Sequence, residues 1–105
     1  MKGIIYCIKS LNSNVIYIGS SKQSITTRKS KHIYDSKHSK RCKPVHRYIN
    51  ENGTWSNYVF EKLEQKEYDN IKQLREEEYK TIQKYKENNY QLLNAKLVSS
   101  NLDGL

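Results

Sequence analysis

Apolar and polar residues alternate near the N-terminus in a pattern that predicts two β-strands joined as a hairpin. Residues 3–8 and 15–19 are rich in β-branched and aromatic side chains, which favour strands. The segment 11–14 between them contains asparagine and serine, which are common in turns. Because side chains alternate along a strand, Tyr6 is expected to share a face of the sheet with Ile4.

Three further elements are predicted in the middle of the chain. Residues 25–37 contain neither glycine nor proline and predict a helix with Ser24 as its N-cap. Residues 44–51 predict a short second helix, because Pro44 suits a first helical turn and a glycine follows the segment. Residues 55–63 are again rich in aromatic and β-branched side chains and predict a third strand.

The longest predicted element is a helix over residues 69–87, with Asp69 as its N-cap. One side of this helix carries an apolar stripe with a carboxylate in its middle, formed by Ile71, Leu74, Glu78, Ile82 and Tyr85. Burying a carboxylate is costly unless it is paired or binds a metal. Glu78 is therefore predicted either to bind a metal or to pair with a lysine at the edge of the stripe. Glu76 and Glu77 fall off the stripe and are expected in solvent.

The length of 105 residues matches one small domain. Residues 90–98 are expected to be extended, and no repeat or linker composition divides the chain, so a single domain over residues 1–105 is predicted. No apolar run approaches the roughly 20 residues needed to span a bilayer. The apolar stretch within residues 1–8 is also too short for a secretion signal. We therefore expect an intracellular protein without a membrane segment.

Positive charge is concentrated in one quarter of the chain. The sequence has 19 Lys and Arg against 11 Asp and Glu, which gives a formal net charge of +8. Residues 22–47 contain nine basic residues and one acidic residue, Asp35. Such an excess is typical of a surface that binds a polyanion, although a merely solvated surface gives the same pattern. The predicted nucleic-acid contacts are Lys9, Lys22, Lys29, Lys31, Lys40, Arg41, Lys43 and Arg47.

Two cysteines, Cys7 and Cys42, lie far apart in the sequence, and both are expected to be reduced thiols in a protein that is not secreted. The alternative is a zinc site, whose spaced ligands would be His38, Cys42 and His46, with His32 nearby. Pro44 interrupts a helix through these residues, and structural zinc sites usually use four ligands with paired cysteines. Zinc is therefore the weaker interpretation.

Several polar residues stand out against this background, and they are Tyr6, Tyr17, Arg28, His32, Glu78 and Asn94. Ile5-Tyr6, ten further residues and then Tyr17-Ile18-Gly19 form a two-part motif. In the order and spacing of these residues the chain resembles the GIY-YIG nuclease family, over nearly its whole length. The combination is specific, whereas a Tyr-Ile-Gly tripeptide alone would mean little.

Further segments carry the same resemblance. Arg28 followed by His32 one helical turn later is similar to the arginine and histidine on the family's first helix. The segment around Glu78 resembles the one that carries the family's metal-binding glutamate, and Asn94 matches its C-terminal asparagine. Residues 48–55 are similar to the linking segment of small viral and phage-type members.

The resemblance implies a compact α+β domain with a three-stranded antiparallel sheet flanked by helices. It also implies hydrolysis of DNA phosphodiester bonds with one divalent cation, Mg²⁺ or Mn²⁺. One departure is visible, because Ile4 stands where the first motif usually has glycine and Gly3 lies one place earlier. Since that glycine is mainly a backbone feature, activity is expected to persist.

The roles implied by the resemblance suit the residue types. Glu78 would supply an oxygen ligand to the cation, and Arg28 would hold the scissile phosphate. Tyr6 would activate water, directly or as a relay, and His32 would take the proton if Tyr6 only orients the water. A phenol with a pKa near 10 is a poor base at neutral pH, so nearby cations must lower that pKa. Lys9, beyond Tyr6 on the same strand, is a candidate for this, although it is also a plausible surface lysine.

The remaining two residues would act as positioning groups. Tyr17, together with His32, would position water or phosphate. Asn94 would orient Glu78 or the backbone around it. Each residue also has an ordinary structural interpretation, as a sheet aromatic, a helix-surface histidine or a strand-end cap.

The leading functional hypothesis is therefore a metal-dependent endonuclease of low intrinsic sequence specificity. The alternatives are a non-catalytic nucleic-acid-binding module that retains the fold, and an adaptor docked to a larger complex. The substrate is expected to be DNA, with branched or otherwise structured DNA as one possibility. Any targeting to a site would be supplied by a partner protein, because a chain of this size has no room for a second domain.

Overall fold

The chain folds into a four-stranded sheet with helices on both faces. The computed structural model describes residues 1–38, 43–51 and 54–94. In chain order the elements are β1 (Lys2–Ser10), β2 (Val15–Ser21), α1 (Ile25–Ser36), α2 (Pro44–Glu51), a 3₁₀ turn at Trp55–Asn57, β3 (Tyr58–Glu67), α3 (Ile71–Glu87) and β4 (Gln91–Leu92). Across the sheet the strands lie in the order β3-β1-β2-β4.

The prediction of a three-stranded antiparallel sheet is wrong in one respect, because β4 adds a parallel edge strand. β1 pairs antiparallel with both β2 and β3, which confirms the predicted hairpin. β4 pairs with β2 only through Val15–Gln91 and Ile16–Leu92. A strand of two residues shows no alternation that a sequence pattern could reveal. The predicted extended segment 90–98 continues beyond residue 94, outside the described residues.

The central strand β1 is buried on both faces, so its alternating side chains enter two separate cores. One core, which we call the α3-side core, includes Ile5, Cys7, Ile16, Ile18, Tyr68, Leu74 and Ile82. The other, the α2-side core, includes Ile4, Tyr6, Ile8, Val45, Ile49 and Tyr58. Each core supplies the apolar burial that stabilises one helical layer against the sheet. Tyr6 thus lies under the helices that follow the hairpin.

The start of α3 differs from the prediction. Asn70, not Asp69, is the N-cap, because its Oδ1 accepts a hydrogen bond from the Gln73 backbone N–H at 2.9 Å. The Gln73 side chain in turn accepts from the Asp69 N–H at 2.7 Å. Ile71 is 43% exposed and not part of the core, because Tyr68, just before the helix, fills the core at this end. Among the described residues, no helix is long and apolar enough to cross a membrane.

The predicted third strand begins later and runs further than expected. Trp55–Asn57 forms a 3₁₀ turn, in which the Asn57 side chain accepts from the Thr54 N–H at 3.0 Å. The Trp55 indole N–H donates to Ser36 Oγ at 3.1 Å, which ties this turn to the end of α1. A hydrogen bond of this kind depends on the tertiary structure, so the residue pattern alone does not reveal it. The predicted bounds of α1 and α2 agree with the structure to within one residue.

Gly19 allows an unusually close approach between β2 and the Tyr6 side chain. The two residues are paired across the β1–β2 ladder. A Cβ atom placed on Gly19 would lie 2.5 Å from the Tyr6 hydroxyl oxygen and 2.6 Å from Cζ. No other residue fits there unless the tyrosine moves. The glycine of the second motif is therefore required by the position of the Tyr6 ring.

We predict that Gly19→Ala lowers the free energy of unfolding by about 1–3 kcal/mol, because the added methyl overlaps a fully buried ring. Gly3→Ala is the matched control and should cost less, since its Cβ would lie 3.0 Å from Leu74 Cδ1 and Tyr68 Cδ2, compared with 2.5 Å from the Tyr6 oxygen at Gly19. Urea denaturation of both variants measures the difference. Equal losses would show that the Tyr6 contact is not the cause.

Candidate active site

Four of the predicted site residues converge on one cluster in the α2-side core. β1 supplies Tyr6 and β2 supplies Tyr17, with their ring centroids 6.4 Å apart. The Tyr6 hydroxyl oxygen lies 2.7 Å from His32 Nε2 and 3.4 Å from Arg28 Nη2. The fold thus brings two phenols, an imidazole and a guanidinium together from three separate elements.

The local sequence accounts for this placement. Arg28 and His32 are four residues apart on α1, so both side chains lie on the same side of the helix. Ser24 fixes where that helix starts, because its Oγ accepts a hydrogen bond from the Thr27 N–H at 3.2 Å, as predicted for an N-cap. The absence of a side chain at Gly19 leaves room for the Tyr6 ring beneath them.

A second histidine, His46 of α2, lies directly behind His32. His46 Nε2 is 2.8 Å from His32 Nδ1, and His46 Nδ1 accepts from the Lys43 backbone N–H at 3.1 Å. Sequence reasoning considered His46 only as a zinc ligand and missed this contact. The sequence does contain one indication that His46 is buried, because its position beside Val45 and Ile49 places it on the apolar side of α2.

Burial dominates the electrostatics of the cluster. It lowers the pKa of His32 to about 3, and the charges of Arg28, His46 and Lys43 act in the same direction. The pKa of His46 is also lowered, mainly by burial and then by the Lys43 charge. Both imidazoles are therefore neutral at pH 7.

The two phenols are also affected by burial. Burial raises the pKa of Tyr6, while the hydrogen bond and charge of Arg28 and a hydrogen bond with Tyr17 oppose the rise. The pKa of Tyr17 is raised by burial, then by Tyr6 and by the charge of Glu78. Hydrogen bonding between the two phenols lowers the pKa of Tyr6 and raises that of Tyr17, although burial is the largest cause for both.

Glu78 lies at the edge of the same cluster. Its side chain is half-buried on α3, and its Oε1 accepts a short hydrogen bond from the Ser20 hydroxyl of β2. Glu78 also lines a cavity of about 240 Å³, whose other walls are Tyr17, Lys43, Pro44, Val45, Ile82, Leu93 and Asn94. The apolar stripe of α3 thus directs one carboxylate towards the edge of β2.

Glu77, the neighbour of Glu78, has a different environment. Its carboxylate pairs with Lys66 at 3.5 Å and with Lys80 at 3.5 Å. Glu77 is half-buried, so the expectation that it lies in solvent is only partly correct. The lysine pairing that was the alternative for Glu78 is found instead at Glu77.

Asn94 binds the backbone of the second motif. Its Oδ1 accepts from the Ile18 N–H at 3.1 Å, and its Nδ2 donates to the Ile18 carbonyl at 2.6 Å. The amide thereby continues the pairing of β2 after β4 has ended. These hydrogen bonds are with the backbone of β2, at the residue between Tyr17 and Gly19, rather than with Glu78 or the helix that carries it.

The predicted nucleic-acid contacts lie mostly on the surface. The exposed ones are Lys22, Lys29, Lys31, Lys43 and Arg47. Lys31 pairs with Asp35 at 3.7 Å, and Lys29 Nζ lies 5.7 Å from the centre of the Phe60 ring. Lys40 and Arg41 lie outside the described residues.

Lys9 does not lie beside Tyr6. Alternation along β1 places Lys9 with Cys7 on the face of the α3-side core. Burial raises the pKa of the Cys7 thiol to about 11, and the charge of Lys9 opposes this rise. The suggestion that Lys9 lowers the pKa of Tyr6 is therefore wrong. Cys7 itself is a buried free thiol, whereas Cys42 lies outside the described residues.

The described residues hold no group of three or more potential metal ligands from His, Cys, Asp and Glu. His32 and His46 are hydrogen-bonded to each other, and the His38 ring stacks on Tyr34 with 4.0 Å between the ring centres. The three histidines of the zinc alternative thus have other contacts. The carboxylate at the edge of the cluster is that of Glu78, with the Ser20 hydroxyl beside it.

Comparison with known proteins agrees with this geometry. The model of the GIY-YIG catalytic domain matches residues 2–91, which include both tyrosines of the two-part motif, Arg28, His32 and Glu78. No curated protein and no solved structure gives a significant match. Because the family model covers nearly the whole chain, this protein belongs to the GIY-YIG family of nuclease domains.

Proposed function

We propose that the protein is a divalent-metal-dependent endonuclease that hydrolyses DNA phosphodiester bonds. One observation carries the proposal. The cluster of Tyr6, Arg28 and His32 adjoins a cavity that is lined by both Tyr17 and Glu78. A guanidinium, a hydroxyl and a carboxylate beside one cavity are the groups needed to bind a phosphate, to activate water and to hold a cation.

Glu78 is the proposed ligand of Mg²⁺ or Mn²⁺. A single carboxylate beside a hydroxyl and an open cavity suits Mg²⁺, which keeps most of its waters and uses one or two protein carboxylates. When bound, the cation would stabilise the negative charge that develops on the leaving oxygen. Ser20 orients the carboxylate, because its hydroxyl donates to Glu78 Oε1.

Arg28 is the proposed phosphate-binding group. Its Nη2 faces the Tyr6 hydroxyl at 3.4 Å, and its Nε is buried without a partner among the described residues. A guanidinium binds two phosphate oxygens at once and remains charged at every relevant pH. Arg28 would therefore stabilise the extra negative charge of the phosphate as it reacts.

Tyr6 is proposed to act on the attacking water. Because its pKa is about 3, His32 is neutral but binds a proton only weakly. The Tyr17 ring lies 6.4 Å from the Tyr6 ring, centre to centre, and lines the cavity next to Glu78, so it connects the two halves of the site. Asn94 would act indirectly, by fixing the β2 backbone from which Tyr17 projects.

Binding to DNA is proposed to rest on the exposed basic residues between positions 22 and 47. Phosphate contacts position a protein on DNA without reading its bases, so the intrinsic sequence preference should be low. Selectivity would come from the shape of the DNA, such as a branch, or from a partner protein.

We expect Glu78→Gln to lower the cleavage rate at least roughly 100-fold, since it removes the charge that holds the cation. The affinity for DNA should change little. Glu77→Gln is the matched control and should cleave nearly as well as the wild type. Plasmid nicking with Mg²⁺, with Mn²⁺ and with chelator measures the rates.

The outcomes of this experiment separate the hypotheses. If Glu77→Gln were inactive and Glu78→Gln active, the cation would be bound by Glu77 and the proposed assignment to Glu78 would be wrong. DNA binding by the wild type without cleavage of plasmid or branched DNA under any metal condition would favour the non-catalytic binding module.

We expect Tyr6→Phe and Arg28→Ala each to lower kcat by roughly 10²–10³-fold with much smaller effects on DNA affinity. Tyr6→Phe removes one oxygen atom and retains the packing of the ring, whereas Arg28→Ala removes the charge. Single-turnover cleavage and equilibrium binding, measured on the same DNA, separate the two effects. A wild-type rate in Tyr6→Phe would exclude the phenol from the reaction.

Binding should depend strongly on salt. If about four to six phosphates are contacted, the affinity should fall roughly 10²–10³-fold between about 50 and 200 mM salt. Arg47→Gln should reduce the slope of log affinity against log salt by about one, whereas Lys72→Gln on α3 should leave it unchanged. Tight binding of one duplex sequence that resists salt would contradict the proposal.

A further inference from the structure

A continuous line of hydrogen-bonding groups leads from the backbone before α2 to the Tyr6 hydroxyl. The Lys43 N–H donates to His46 Nδ1 at 3.1 Å. His46 Nε2 lies 2.8 Å from His32 Nδ1, and His32 Nε2 lies 2.7 Å from the Tyr6 oxygen. His32 is 1% exposed and His46 is fully buried, so solvent does not compete for these ring nitrogens.

The first group of this line determines the direction of all the others. A backbone N–H can only donate, so His46 Nδ1 must be the acceptor and carries no proton. A neutral His46 then carries its proton on Nε2 and donates it to His32 Nδ1. Since Nδ1 of His32 now accepts, its own proton must be on Nε2, and it is donated to the oxygen of Tyr6.

We infer that His46, held by the Lys43 backbone N–H, is a positioning residue that locks His32 as its Nε2–H tautomer. In this tautomer His32 is a hydrogen-bond donor to Tyr6 and has no free lone pair on Nε2. The neutral His32 ring is thereby excluded as the acceptor of the Tyr6 proton. The tautomer itself follows from the geometry, whereas its effect on cleavage rests on the proposed nuclease function.

The locked tautomer completes a set of donors around one oxygen. The Tyr6 oxygen receives hydrogen bonds from His32 Nε2–H and from Arg28 Nη2–H at 3.4 Å. Donors that point at an oxygen favour its negatively charged form. With the opposite tautomer, His32 would instead accept from Tyr6 and remove one of these donors.

One contact favours the opposite tautomer, and it is the weaker one. Arg28 Nη2 lies 3.4 Å from His32 Nε2, which would be a hydrogen bond only if Nε2 were unprotonated. That separation is at the long limit for such a bond, and the same Nη2 lies at an equal distance from the Tyr6 oxygen. If both histidines had the opposite tautomer, His46 Nδ1 would carry a proton. Its N–H would then face the Lys43 backbone N–H, with only 3.1 Å between the two nitrogens.

The tautomers are directly measurable by long-range ¹H–¹⁵N correlation NMR of the ¹⁵N-labelled wild-type protein at neutral pH. We expect His32 and His46 both to show the Nε2–H pattern. His38 is the internal control, because its Nδ1 donates to the Tyr34 carbonyl at 2.7 Å and must therefore be protonated. An Nδ1–H pattern at His32 would overturn the inference, whatever the protein cleaves.

Two substitutions test the role of His46. His46→Phe keeps a ring but removes the donor, so His32 should lose its single tautomer and kcat should fall roughly 10- to 100-fold with little change in KM. His46→Gln places an amide N–H near the former Nε2 and should recover most of the lost rate and restore the Nε2–H pattern of His32. If His46→Phe does not fold, the tautomer of His32 in His46→Gln still decides the question.

The possible results distinguish this inference from the proposed function. Nε2–H patterns at both rings in a protein that cleaves no DNA would contradict the nuclease and leave the locked tautomer standing. Cleavage at the wild-type rate by folded His46→Phe would overturn the positioning role and leave the nuclease standing. Equal losses of kcat in His46→Phe and His46→Gln, with His32 unchanged in both, would show that His46 acts through packing alone.

Discussion

The contact between the Tyr6 ring and Gly19 is the constraint on which the site depends. β1 and β2 are neighbouring strands, and the ring lies so close to β2 that no side chain fits at Gly19. The ring is thereby held under α1, with its oxygen 2.7 Å from His32. A phenol in the interior of a sheet would ordinarily be a core residue. Here the hydroxyl has polar partners, because α1 places His32 and Arg28 beside it.

The two faces of β1 explain how so small a chain has both a core and a site. Ile5 and Cys7 enter the α3-side core, which is largely apolar. Tyr6 enters the α2-side core, where buried polar groups are tolerated because they bind one another. Asn94 plays a comparable part at the sheet edge, since its amide pairs with backbone groups that β4 is too short to reach. In such a chain the polar interactions of the site are also part of the fold.

Much of this structure is predictable from local pattern, and the failures have a common cause. The hairpin, α1, α2 and α3 follow from side-chain periodicity and capping residues, which are local properties. The position of Glu78 follows from the helical stripe, whereas its hydrogen bond with Ser20 is a tertiary contact that the stripe does not predict. β4, the late start of β3 and the exposure of Ile71 are set by tertiary contacts. Such contacts cannot be predicted from the local pattern of apolar and polar residues.

His46 illustrates the same limit within the site. Its spacing to other histidines suggested a metal, whereas its hydrogen bonds are to another imidazole and to the backbone. Only the packing of α2 against α1 brings the two rings together. The roles proposed for Tyr6, Arg28 and Glu78 come from the family motif, which includes these residues. His46, which contacts His32 and not Tyr6 or Glu78, is not part of that motif.

The buried imidazoles also make folding depend on protons. In the unfolded chain a histidine takes up a proton below about pH 6.5, whereas His32 in the folded protein does so only near pH 3. Between these values the unfolded state binds more protons, so the contribution to stability is complete above pH 6.5 and is lost as the pH falls. Each such histidine costs up to about 1.4 kcal/mol per pH unit in this range, and His46 acts in the same direction. Mild acid would therefore weaken the fold by protonating these histidines in the unfolded chain.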